Sequence, residues 1–285
     1  MTLSPQVRGV LAMIAGAGLL TLSDAASKHL AHSYPVGQVI CLRQLAAFIF
    51  ILPYVMSVTG FRALRVVDRA GQTLRALCFV AGAGLIVWSL SLLPISIVTV
   101  VLFSSPLFVA LFSAPILGER VDARQWLAIG AGFVGVLLIV RPAGGFSWIV
   151  LLPVLATIIN SLRDTITRRL SRTESSVSML FWSSAAVTLV GFFTLPFGWR
   201  PLDLEAGAWF VAAGLFNATA HFLVIEALRL GRAAVVVPFR YTGILWAILV
   251  GFLIWNEVPD IGMLAGALIV VLSGIYMIRI VAPQP

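Results

Sequence analysis

Four polar residues stand where an apolar chain has to justify them. Arg240 lies within the apolar stretch Arg232–Glu257, two residues after Pro238 and directly before Tyr241. A charge at membrane depth costs at least about 2.5 kcal/mol, so it needs a partner, a cavity or a function. The planar guanidinium fork suits a carboxylate or a phosphate; a structural pair with an acid such as Glu226 is the competing expectation. His221 lies at a similar depth in another apolar run, with Asn217 four residues earlier and so on the same helical face. An imidazole there suits proton coupling or ligand contact, or simple packing between helices. Arg43, with Gln38 and Gln44 near it, enters its run from the opposite side. Trp88, Tyr241 and Trp246 offer aromatic faces that can line a pocket and embrace a cation. Asp24/Lys28 and Asp164/Arg168 read as i,i+4 salt links. Glu226, three residues before Arg229, reads as half of a surface pair. His221, Asp24 and Glu226 are the candidates for coupling to protons.

The elements that must position these residues are membrane spans. The chain has 285 residues, 60% hydrophobic and only 11% charged, against about 25% charged in a soluble domain. Apolar runs of spanning length lie near 8–27, 35–58, 74–93, 95–117, 123–141, 147–166, 176–197, 206–228, 233–255 and 260–280. They predict an all-α integral membrane protein of ten transmembrane helices with short connections. Net charge is +8, but the arginines fall in short loops, which points to membrane orientation and not to nucleic acid. With a cytoplasmic N-terminus, 14 basic residues fall inside and 3 outside, so both termini are expected to be cytoplasmic. The inside set includes Arg75 and Arg163. Gly9–Ser23 has the look of a signal peptide but fits the set of ten as its first span. Cys41 and Cys78 both fall in apolar runs and give neither a disulfide framework nor a metal spacing.

The chain also repeats. A shift of 138 places Glu119 on Glu257, Asp122 on Asp260 and Arg141 on Arg279. A shift of 140 places Asp24 and Lys28 on Asp164 and Arg168. Five helices per half, an odd number, make the second half (143–285) inverted relative to the first (1–142). Inverted repeats of this kind are typical of secondary transporters, with the substrate site near the midplane between them. Asp122 and Asp260 read as helix N-caps, and Glu119 and Glu257 as anchors of the turns that follow the fourth and ninth helices. Ala131-x3-Gly135 and Gly262-x3-Gly266 read as small-residue seams, within the monomer or at a dimer face.

Leu117-Gly118-Glu119-Arg120, Trp255-Asn256-Glu257-Val258-Pro259, Ser104-Ser105-Pro106-Leu107 and Arg43 carry a family likeness. The chain resembles the EamA type of the drug/metabolite transporter superfamily over its whole length. The second copy departs from the pattern: Ile244 stands where Pro106 would fall, and Arg240-Tyr241 where the first copy has Leu102-Phe103. The resemblance implies transport of small metabolites in either direction, among them amino acids, nucleosides, S-adenosylmethionine, riboflavin and opine metallophores.

The expectation is therefore a secondary transporter of the bacterial inner membrane, a monomer or homodimer without cofactor or metal, working by alternating access. Arg240, Tyr241, His221 and Asn217 are expected on the cytoplasmic side of its cavity, and Arg43 and Trp88 on the outer side. The surplus of buried positive charge favours a carboxylate-bearing zwitterion, exported; uptake of S-adenosylmethionine or riboflavin is the alternative. A pump is disfavoured because no Gly-Lys-Ser/Thr is present, and an enzyme because no nucleophile elbow or zinc motif is present. A passive channel remains a remote alternative.

Overall fold

In a computed structural model, residues 4–31, 33–92, 101–140, 148–255 and 261–281 are described, and every regular element among them is helical. Helix α1 spans Pro5–Ala31, its proline at the first position, where no N–H is needed. Helices α2 (Val36–Ala46) and α3 (Phe48–Tyr54) form one segment. Pro53 lies inside it, and a π turn at Val55–Thr59 absorbs the lost donor before Gly60 ends the segment. Helix α4 is Arg69–Leu92. Helix α5 (Ser105–Phe112) runs into a second π turn, Ser113–Leu117, closed by Gly118 at φ 70. That left-handed position suits glycine, and the N–H groups of Gly118 and Glu119 satisfy the last carbonyls. Helix α6 (Ala123–Val140) follows Asp122, whose carboxylate accepts from Gln125 N at 2.8 Å while Asp122 N donates to Gln125 Oε1 at 3.1 Å. This reciprocal cap is the one expected of Asp122. Its repeat counterpart Asp260 lies outside the described residues, as does Glu257.

The second half runs α7 (Leu151–Leu170), α8 (Ser176–Phe192), α9 (Leu204–Leu230), α10 (Ala233–Val236), α11 (Thr242–Trp255) and α12 (Ile261–Val281). Ser175 caps α8 and Asp203 caps α9 through their side chains. Between α10 and α11 the backbone tightens to a 3-10 turn, Val237–Tyr241, around Pro238. The ninth segment is thus not a continuous α-helix: it tightens over the turn that carries Arg240.

Packing follows the repeat. Helix α1 lies against α9 as α7 lies against α4; α1 touches α11 as α7 touches α5; α2 touches α9 as α8 touches α4. The pairs α2–α8 and α6–α12 map onto themselves under this exchange. A Cβ at Gly135 would stand 2.9 Å from Gly266 O, so the expected small-residue seam joins α6 to α12 within one chain. A Cβ at Gly214 would stand 2.6 Å from Arg43 O, so the absence of a side chain lets α9 approach α2.

Pro5–Ser27, Val36–Thr59, Leu204–Leu230 and Ala233–Val250 are long and apolar enough to cross a membrane, with shorter apolar helices at Ser105–Leu117, Ser176–Phe192 and Leu264–Met277. Exposed side chains such as Leu127, Leu189, Leu253 and Leu268 form the lipid-facing surface of a multi-pass membrane protein. At one end of the bundle Arg168 donates to Leu228 O and Arg229 O, Arg232 to Arg120 O, and Ser175 to Ala63 O. At the other, Gln38 and Arg200 exchange hydrogen bonds at 2.8 and 2.9 Å, and Arg200 reaches Ser33 O.

Candidate functional site

Helix α7 is the polar element of the bundle. Its buried face carries Thr157, Ser161, Asp164 and Thr165, joined by Arg163 and Thr167. Their hydroxyls return to carbonyls one turn back, Thr165 to Ser161 and Thr167 to Arg163, which keeps the helix intact in apolar surroundings. Asp164 is 1% exposed and holds two guanidiniums. Arg163 donates to Oδ1 at 2.8 and 3.2 Å, and Arg240, carried in by the Pro238 turn, donates to Oδ2 at 2.7 Å.

The partner of Arg240 is therefore Asp164 and not Glu226. Glu226 accepts from Ser176 Oγ and lies 3.7 Å from Arg229, the surface pair expected of it. The predicted Asp164–Arg168 link does not form. Arg168 instead reaches Glu119 Oε1 at 3.1 Å, while Glu119 Oε2 accepts from Ala233 N at 3.0 Å, so Glu119 ties its turn to two other elements.

Two arginines counted with the inside basic set belong to the candidate site. Arg75, on α4, is 6% exposed. It donates to Thr167 Oγ1 and Met179 O, each at 2.7 Å, and to Ser183 Oγ, all neutral acceptors. Arg163 sits 5.1 Å over the Phe79 ring, and His221 meets the same ring edge-on at 5.1 Å. Arg75, Arg163, Asp164, Ser183 and His221 line one small cavity. Three arginines against one aspartate leave this cluster with a formal charge of +2.

The outer group is looser. Arg43 donates to Asp24 Oδ1 at 3.4 Å and to Ser27 Oγ at 3.0 Å, and the Asp24 side chain is 73% exposed. Asp24 thus pairs with Arg43; the side chain of Lys28, its expected partner, lies outside the described residues. Gln44 donates to Ser184 Oγ at 2.8 Å. Asn217 is buried, and among the described residues its Oδ1 has no donor and Arg43 Nε and Arg240 Nε have no acceptor. On α9, Asn217 stands between the level of Gly214, which meets Arg43, and the level of His221. The polar line thus runs from Asp24 and Arg43 past Asn217 and His221 to Arg163, Asp164 and Arg240.

Two predicted aromatics do not join this line. Tyr241 is 1% exposed, packs against Gly132 and Phe103, and directs its hydroxyl to Ile129 O at 3.5 Å. Trp246 packs on Gly18 and donates to Ile14 O at 3.1 Å. Trp88, on α4, is 56% exposed. Among the described residues no three of His, Cys, Asp and Glu converge as metal ligands.

A family model for the EamA-like transporter family matches residues 7–141 and again 147–280. The chain belongs to this family. It is a two-repeat member of the drug/metabolite transporter superfamily, and its relatives are transporters of small molecules. It is 28% identical over 90% of its length to an S-adenosylmethionine uptake transporter of Rickettsia bellii, covering 88% of that protein. It is 28% identical to a riboflavin transporter of Rhizobium johnstonii, over 82% of this chain and 78% of that one. It is 25% identical to a pseudopaline exporter of Pseudomonas aeruginosa, over 95% and 96%. A solved crystal structure superposes with a TM-score of 0.82 at 16% identity, covering 97% of this chain and 96% of the other, and so shares the fold.

Arg75 and Arg163 were missed because both lie within about two turns of a helix end, where an arginine ordinarily snorkels. The sequence held one signal. Thr157, Ser161 and Thr165 recur at four-residue spacing beside Asp164, a polar stripe that marks an inward face.

Proposed function

We propose that the EamA protein is a ten-span secondary transporter of the bacterial inner membrane, with both termini cytoplasmic, that moves an amino-acid-derived zwitterion by alternating access. The observation that carries the reading is the buried excess of guanidinium over carboxylate, set on segments of both halves. Such a surplus suits a solute bearing a carboxylate. Asp24, the repeat counterpart of Asp164, is open beside Arg43 and suits the ammonium of the same solute. Removing Arg75 and Arg163 from the basic loops leaves 12 residues against 3, so the orientation bias keeps its sign.

The two related acids stand in opposite states, Asp24 73% exposed and Asp164 2% exposed at the side chain. This supports an arrangement closed at the arginine-rich end and open at the other. S-Adenosylmethionine, the solute named for one relative, carries the carboxylate and the ammonium of an α-amino acid together with a sulfonium, so it shares the zwitterionic end with a net positive charge. Export of an opine-type zwitterion is the second reading, favoured by the near-complete coverage of the pseudopaline exporter. Movement is driven by exchange or by protons, in a monomer or a homodimer, and no covalent step is assigned.

The test is uptake of labelled S-adenosylmethionine into proteoliposomes, with and without unlabelled solute on the far side. Saturable, trans-stimulated flux that Arg240→Lys lowers several-fold supports the reading. Normal flux in Arg240→Lys at normal expression removes Arg240 from the path, and flux of riboflavin alone overturns the zwitterion assignment.

A further inference from the structure

The cavity beside Arg75 has more donors than the protein uses. Arg75 spends Nε and Nη1 on Thr167, Met179 and Ser183, and Arg163 spends Nε and Nη2 on Asp164. Arg75 Nη2 and Arg163 Nη1 have no acceptor among the described residues. Ser183 Oγ accepts from Arg75, and its own proton has no acceptor among them. Among the described residues neither ring nitrogen of His221 makes a hydrogen bond, and the ring packs edge-on against Phe79. All four residues line the same cavity, while both oxygens of its one acid, Asp164, are already taken. Arg75 and Arg163 are 6% and 9% exposed, so their unused donors face the cavity and not bulk solvent.

Unused donors on two buried cations, in a cluster of formal charge +2, are costly unless something negative meets them. The cavity measures about 10 Å³, the room of roughly one water. A whole metabolite does not fit. A monatomic anion does, and so does the leading oxygen of a carboxylate.

We propose that Arg75, Arg163, Ser183 and His221 form a binding site for one small monovalent anion, either a free halide or the carboxylate end of a transported solute. The site ties α4, α7, α8 and α9 together at the arginine-rich end. It goes beyond the transport reading, because an anion held there stabilises the bundle whatever solute is carried.

The test is thermal unfolding of the purified full chain at constant ionic strength, replacing isethionate, too large for the cavity, by chloride or by formate. The expected result is a saturable rise in Tm of about 5 °C at a hundredfold excess over the half-saturating concentration. A stronger effect of chloride identifies a free halide; a stronger effect of formate identifies the carboxylate of a solute. Ser183→Ala, which removes one donor and no charge, should raise the half-saturating concentration several-fold, and Arg75→Gln should abolish saturation. A Tm that follows ionic strength alone overturns the site. So does a dependence that Ser183→Ala leaves unchanged, a result readable even where Arg75→Gln does not fold. Transport of S-adenosylmethionine is scored separately, so either proposal can fail while the other stands.

Discussion

Asp164→Asn keeps the shape of the side chain and removes its charge. Asp164 is 2% exposed at the side chain and is bonded by Arg163 at 2.8 Å and by Arg240 at 2.7 Å. The substitution raises the cluster from a formal +2 to +3, with no solvent to screen it. Removing one partner of a buried ion pair costs about 3–5 kcal/mol. At roughly 2–4 °C per kcal/mol for a large chain, Tm should fall on the order of 10 °C. The repeat supplies its own control. Asp24→Asn alters an acid that is 73% exposed and 3.4 Å from Arg43, and an exposed pair contributes about 0–1 kcal/mol. Its Tm should move by no more than about 3 °C. Adding Arg240→Gln to Asp164→Asn removes one orphaned cation and should recover part of the loss. The assay is thermal unfolding of purified protein in detergent. Equal losses in Asp24→Asn and Asp164→Asn, or no recovery in the double variant, would refute the claim that one acid neutralises a buried cluster.

Tyr241→Phe should leave transport and Tm near wild type, since its hydroxyl reaches Ile129 O only at 3.5 Å; Tyr241→Ala should cost about 3–5 kcal/mol by the cavity it opens. A several-fold transport loss in stable Tyr241→Phe would return Tyr241 to the site. Gly132→Ala should destabilise by about 1–3 kcal/mol, because the added Cβ would stand 2.7 Å from the Tyr241 ring; unfolding curves that superpose on wild type contradict this. Glu119→Gln should lower Tm by weakening its bonds to Arg168 and Ala233, by about 1.5–3 kcal/mol for a hydrogen bond to a charged group. An unchanged Tm there would show that the turn holds without it.

The likeness between the halves was legible wherever it rested on charged residues, and the packing of α1 on α9 and α7 on α4 follows it. Apolar run length located the helices well, because hydrocarbon thickness dictates length whatever the packing. Partner choice was less legible. Sequence spacing paired Asp164 with Arg168 on its own helix, but low-dielectric burial rewards the closest guanidiniums, and those come from its neighbour Arg163 and from the Pro238 turn. Tyr241 drew attention by standing next to Arg240, but the tight turn sends the two side chains to different neighbours, Ile129 and Asp164. Arg75 looks in sequence like an ordinary loop arginine, and only the approach of α4 to α7 and α8 reveals its acceptors.

The central claim is that this EamA protein carries its solute by exposing one site alternately to the two sides of the membrane. Counterflow measures this most directly. Proteoliposomes loaded with unlabelled S-adenosylmethionine should take up labelled solute faster than empty ones, with a rate that saturates and that Arg240→Lys reduces. A rate that rises linearly with concentration and ignores the internal solute would contradict alternating access.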